Sequence, residues 1–213
     1  QKAIELYKTN KIEDILIHTG QHYDYEMSEV FFNQLGIKKP KYHLGIGSGS
    51  HGEQTGKAII EIEKVLKKEI PDFVIVYGDT NSTLSGALAS AKIHIPVIHI
   101  ESGLRSYNKK MPEEINRVLT DHISTLLICP TNQAVKNLKK EGFKNIIKQG
   151  ELIGEREKIN LNSLSESNPF VINCGDIMYD VLIESIKIAE KNKQILSKFS
   201  LLPKQYNLMT IHR

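Results

Sequence analysis

The chain has 213 residues, of which 40% are hydrophobic and 25% charged, the composition of a folded globular protein rather than a disordered or collagenous one. Lys and Arg number 28 against 25 Asp and Glu, a net charge of +3 that gives no electrostatic case for nucleic acid or an anionic membrane as partner. Its apolar runs are too short to span a bilayer, and Cys129 and Cys174 make neither a zinc cluster nor a disulfide framework, so a reduced, cytoplasmic protein is expected.

In chain order, Ala3, Ile4, Leu6 and Tyr7 read as one face of a helix entered part-way. Asp14–His18 is a short apolar run of strand type, whereas Lys41–Leu44 is a poor strand. Gln54–Ile70 places Ala58, Ile59, Ile62, Val65, Leu66 and Ile70 on one side and predicts a helix. Strands follow at Phe73–Tyr77, Pro96–Ile100 and Thr125–Cys129, near-continuously apolar as in strands covered on both faces. Between and after them, helices are predicted over Asn81–His94, Pro112–Ser124 and Asn132–Glu141, the last stopped by Gly142. Residues 147–169 carry no period and read as a loop insertion. Phe170–Asn173 is a strand, Met178–Phe199 a long charged helix and Tyr206–His212 a further strand.

Strands alternating with helices predict an α/β fold with a doubly wound parallel sheet. A domain boundary is placed at residues 173/174, so that 1–173 form one domain and 174–213 the start of a second. The chain starts without Met and stops inside an expected strand, as an internal piece of a longer protein would.

Gly47-Ser-Gly-Ser-His-Gly52 matches G-x-G-x-x-G, but lacks the core strand before it and the correctly placed acidic residue after it that dinucleotide binding needs. It reads as a ligand-adjacent or plain connecting loop. Asp79 lies where strand Phe73–Tyr77 ends, at the edge where open α/β sheets bind ligands. The bland alternative is that Asp79, Thr80 or Asn81 merely caps the next helix. Glu101 repeats the arrangement one strand later, and Glu113 opens the following helix. Converging carboxylates shift one another's proton affinity and divide acid and base roles. Glu113 also suits a helix dipole, and Glu113–Arg117 has the spacing of a surface ion pair. Arg105 lies in the loop after Glu101. His99, inside a strand, reads as a hydrogen-bonded core residue, and no histidines show metal-ligand spacing.

Six motifs then occur in order: Thr19-Gly-Gln-His22, Ser50-His-Gly-Glu-Gln-Thr-Gly56, Tyr77-Gly-Asp-Thr-Asn-Ser-Thr83, His99-Ile-Glu-Ser-Gly-Leu-Arg105, Pro112-Glu-Glu-Ile-Asn-Arg117 and Thr210-Ile-His-Arg213. Together they resemble the UDP-N-acetylglucosamine 2-epimerase family over nearly the whole chain. The resemblance implies two Rossmann-like domains of the glycosyltransferase-B type with a sugar nucleotide between them. This chain would then be most of the first, without its initial strand and Gly-Thr-Arg-Pro turn, and only the start of the second. Residues 147–169 are longer than in the simplest members, and Gly175–Asp180 is a variant of the usual junction segment.

The resemblance also implies the chemistry: inversion at C2 of a UDP-N-acetylhexosamine through loss and re-addition of UDP, in the supply of surface-polysaccharide precursors. By motif position Asp79, Glu101, Glu113 and His212 are catalytic, and Arg117, Arg105 and Arg213 contact substrate. Gln21 and His22 match positions that touch a second, activating UDP-sugar in some bacterial members. No nicotinamide, metal or other cofactor is expected, and a homodimer is expected of the complete protein. Related outcomes are a hydrolysing epimerase releasing N-acetylmannosamine, an epimerase of a UDP-diacetamido-uronate, a glycosyltransferase on the same architecture, or a sugar-nucleotide binder without turnover. The isolated piece is expected to be inactive and poorly soluble.

Overall fold

Why strands and helices alternate here follows from patterning: four- to five-residue apolar runs bounded by Gly, Pro, Asp and Thr cannot extend into helices, and each is followed by a capped amphipathic stretch. The computed structural model describes residues 13–20, 38–147, 169–191 and 194–211. The chain divides into two compact units, Gln1–Cys174 and Gly175–Arg213.

In the first unit, β1 (Ile17–His18) and β2 (Tyr42–His43) form a parallel pair, so the poor strand contributes two paired residues. They are followed by α1 (His51–Glu69), β3 (Val74–Tyr77), α2 (Asn81–Lys92), β4 (Val97–Ile100), α3 (Pro112–Ile123), β5 (Leu126–Cys129), α4 (Asn132–Lys140), β6 (Asn145–Ile147) and β7 (Phe170–Asn173). The main sheet is five-stranded, all parallel, in the order β3-β4-β5-β7-β6. The α/β class with a parallel sheet is as the patterning predicts. β6 was not anticipated: three residues starting with Asn are too short to show a period. Helix α1 starts three residues before Gln54, because Ser50 and Glu53 close a capping box there.

Across the sheet, Val76, His99, Leu127 and Val171 are register partners and therefore share one face. Val76 packs with Ala87 of α2, and Leu127 and Val171 pack with Ala134 and Leu138 of α4, so that face is helix-covered. A separate cluster joins Ala58, Ile62 and Leu66 of α1 to Ala89 of α2. On the opposite face coverage among the described residues is incomplete, since Ile75 is 51% and Tyr77 56% exposed.

The second unit holds α5 (Ile177–Lys191) and α6 (Gln194–Lys198), where one long helix was expected. The strand expected at Tyr206–His212 is absent over 206–211, and Leu208, Met209 and Ile211 are exposed. An apolar run becomes a strand only with a neighbour to satisfy its N–H and C=O groups, and the described residues of this unit contain no strand.

Candidate active site

Parallel strands present their carboxyl ends on one edge, and there the chain places its acidic residues. Beyond β3, Thr80 caps α2 by accepting from the Thr83 N–H at 3.3 Å. The capping alternative for Asp79 therefore falls. Its carboxylate instead pairs with Arg117 of α3. Asn116, one residue earlier, donates to the Asp79 carbonyl at 3.0 Å and to Asn81 Oδ1 at 3.1 Å, pinning the turn.

Glu101 ends β4 with φ +70°, a left-handed conformation that costs energy for any residue but glycine. Its Oε2 lies 3.3 Å from where a side chain on Gly78 would begin, and Gly78 itself has φ +65°. A residue with a Cβ at 78 would be strained and would crowd the carboxylate, so the glycine lets Glu101 reach the turn that carries Asp79. His99 is fully buried with both ring nitrogens engaged, the core histidine expected.

Pro112 opens α3, and its first turns carry Glu113, Glu114 and Arg117. The expected surface pair Glu113–Arg117 does not form. Arg117 instead bonds Glu114 Oε2 at 2.5 Å and Asp79. Glu114 is buried and also accepts from the Ser106 and Tyr107 N–H groups at 2.9 and 2.8 Å. Burial disfavours its charge, but those backbone bonds and Arg117 hold its carboxyl below the usual range. Glu113 is exposed on the same turn.

Arg105 goes elsewhere. Its side chain, 1% exposed, bonds Asp121 at 2.7 Å and both oxygens of Glu141 at 2.7 Å. Burial opposes its charge, yet Glu141 and Asp121 raise its affinity for the proton above the ordinary value. Burial likewise pushes the Cys129 thiol up to about 11 and raises that of Cys174, so neither is an activated nucleophile.

Beside the Asp79 turn is a cavity of about 400 Å³ lined by His51, Thr55, Asn81, Lys110, Ile115 and Asn116, among others. His51, Asn81 and Pro112 are the first residues of α1, α2 and α3, so three helix N-termini meet there. Their partial positive charges, with Lys110, favour an anionic group. Asn81 Nδ2 lies 3.0 Å from His51 Nδ1 and donates to Gln54 Oε1 at 3.1 Å, tying α1 to α2. His51, Gln54, Asn81 and Asn116 all stand inside quoted motifs, and that membership was the only signal for them. Gln21, His22, His212 and Arg213 lie outside the described residues. Among the described residues, no group of three His, Cys, Asp or Glu could hold a metal, and no helix is long and apolar enough to cross a membrane.

A family model described as UDP-N-acetylglucosamine 2-epimerase matches residues 4–213. A UDP-N-acetylglucosamine 2-epimerase homolog of Methanococcus maripaludis is 50% identical over 202 residues, 94% of this chain and 50% of that protein. A UDP-2,3-diacetamido-2,3-dideoxy-D-glucuronate 2-epimerase of Pseudomonas aeruginosa is 52% identical over 169 residues, 79% of this chain and 42% of that protein. The crystal structure of Methanocaldococcus jannaschii UDP-GlcNAc 2-epimerase in complex with UDP-GlcNAc and UDP is similar with a TM-score of 0.75 at 46% identity, over 91% of this chain and 47% of that one. The chain spans about half the length of the curated relatives it matches.

Proposed function

Since the chain belongs to the UDP-N-acetylglucosamine 2-epimerase family, we propose that the whole protein inverts C2 of a UDP-N-acetylhexosamine, interconverting UDP-N-acetylglucosamine and UDP-N-acetylmannosamine. The observation that carries the reading is the pairing of two carboxylates at one turn: Asp79, released from capping duty, and Glu101, held over Gly78.

The C2 proton of such a sugar has no adjacent carbonyl, so direct deprotonation is difficult. The C1–O bond breaks first in character, its electron pair leaving with UDP, and the cationic ring acidifies C2. A carboxylate takes the C2 proton as the C1=C2 double bond of a 2-acetamidoglucal forms. Reprotonation from the opposite face and return of UDP complete the inversion. Two faces demand two proton-handling groups, and carboxylates also stabilise the cationic ring. Asp79, Glu101 and Glu113 share these roles. Arg117 orients Asp79 and is a cation available to the departing diphosphate. His212 joins the set from the motif it completes, and Arg213, Gln21 and His22 are proposed contacts for the substrate and an activating UDP-sugar. Such an activity supplies precursors for surface polysaccharides, in a cytoplasmic homodimer of two-domain architecture divided near residue 174.

The test is incubation of the whole protein with UDP-N-acetylglucosamine in deuterated water, followed by proton NMR. Deuterium at C2 together with UDP-N-acetylmannosamine is expected. Free N-acetylmannosamine would move the protein to hydrolysing chemistry. A second substrate, a UDP-diacetamido-uronate, is favoured by the 52% identity to the Pseudomonas aeruginosa enzyme. Turnover of that sugar and not of UDP-N-acetylglucosamine would decide for it.

A further inference from the structure

The row Val76, His99, Leu127 and Val171 is apolar except at one position. A histidine buried to 0% exposure costs stability unless its polar atoms are satisfied. Here both are. The Gly78 carbonyl can only accept, so Nε2 donates to it at 2.8 Å. Nδ1 lies 2.7 Å from Asp121 Oδ1, also at 0% exposure. Asp121 Oδ2 accepts from the Gly103 N–H at 3.0 Å and from Arg105 Nη1 at 2.7 Å. One carboxylate of α3 therefore grips the end of β4 at three points, residues 99, 103 and 105, with Glu101 between them. Gly103 is seated as well: a Cβ there would stand 2.6 Å from the Ala134 carbonyl oxygen of α4. Glu101 keeps a strained φ of +70°, which persists only where the surroundings over-determine it.

We propose that His99 is a positioning residue, whose ring, held by Asp121, braces the Gly78 carbonyl and so fixes Asp79 and Glu101 relative to each other. The inference rests on the reading that these two carboxylates act on the sugar. Imidazole suits the task because its two nitrogens point in divergent directions, one to a carboxylate on a helix and the other to a carbonyl on the neighbouring strand's turn. Gln can place a donor near the Nε2 position but abandons Asp121. Asn reaches the Nδ1 position but not Gly78.

The experiment compares His99→Phe, His99→Gln and His99→Asn in the whole protein by turnover and by amide hydrogen exchange over residues 78–82 and 101–105. In His99→Phe, kcat falls about 100-fold, the scale of a misplaced catalytic group, with KM changed less than about threefold. Exchange in both segments accelerates. His99→Gln recovers part of both losses and His99→Asn does not. Unchanged exchange in both segments, full turnover in a folded His99→Phe, or equal impairment of the Gln and Asn variants overturns the proposal. Exchange decides it even if the wild type turns over neither sugar, a result that would sink the catalytic reading alone. If the variants do not fold, ¹⁵N NMR of the wild-type imidazole decides. A solvent-protected proton on Nε2 of His99 is expected, and a bare Nε2 refutes the brace.

Discussion

Arg117 and Arg105 each sit between two carboxylates, and both lie in motifs that pointed to substrate contact. Arg117, 13% exposed, joins Asp79, whose side chain is 30% exposed, to buried Glu114. Arg105, 1% exposed, joins Asp121, at 0%, to Glu141, whose side chain is 26% exposed. The same guanidinium chemistry thus serves two ends. Where the guanidinium itself reaches solvent, as in Arg117, the pair can be rearranged by substrate. Where the guanidinium is sealed by the fold, as in Arg105, it holds a loop. The difference lies in the burial of the guanidiniums themselves, 13% against 1% exposed, since the outer partners Asp79 and Glu141 are similarly open.

The largest contrast comes from removing carboxylates on the open side. Asp79→Asn and Glu101→Gln are each expected to lower kcat about 1,000-fold, within the usual span for acid–base groups, while UDP-sugar binding by calorimetry survives. Full turnover in either would remove that residue from the proton-handling set. Next come the arginines themselves. Arg105→Ala takes the buried guanidinium from Asp121, which keeps only His99 and the Gly103 N–H as partners, and is expected to cost about 3–5 kcal/mol in chemical denaturation. Arg117→Ala, at a guanidinium already in contact with solvent, is expected to cost about 1 kcal/mol, while its turnover falls about 100-fold. Equal stability losses in the two variants would erase the distinction drawn here.

Much of this contrast was invisible in the sequence for identifiable reasons. Strands β4, β5 and β7 were legible because buried parallel strands are apolar throughout, and β3 by the same kind of run although Ile75 and Tyr77 stay exposed. β6 was not, being too short, and the run from Tyr206 misled because apolar patterning says nothing about whether a pairing edge is present. Asp79, Glu101 and Glu113 stood out by position after strands or at a helix start. Thr80 rather than Asp79 as the cap could not be told from composition, since both types cap well. The spacing of Arg117 favoured Glu113 over Glu114, and the fold chose the buried neighbour. Arg105, Asp121 and Glu141 lie 16 and 36 residues apart from one another's nearest contacts, and no local pattern reports a bond across such separations.

The smallest effect separates the two arginines by acid titration. Glu114 and Glu141 both have carboxyl pKa values lowered in the folded state, against the opposing effect of burial. A lowered folded value means that the stability they contribute is complete above the ordinary glutamate pKa of about 4.3 and is lost as pH falls through the folded values. The causes differ. Around Glu114 the backbone N–H groups of Ser106 and Tyr107 outweigh Arg117, whereas around Glu141 the bonds and charge of Arg105 come first, ahead of His122. Arg117→Ala should therefore leave most of the acid limb contributed by Glu114, because the backbone donors stay in place. Arg105→Ala should remove most of the limb contributed by Glu141. Denaturation midpoints taken from pH 6 down to about pH 3 would then fall less steeply in Arg105→Ala than in Arg117→Ala. The reverse order would mean that Arg117, not the backbone donors, dominates at Glu114, and that Arg105 is not the main support of the Glu141 carboxylate.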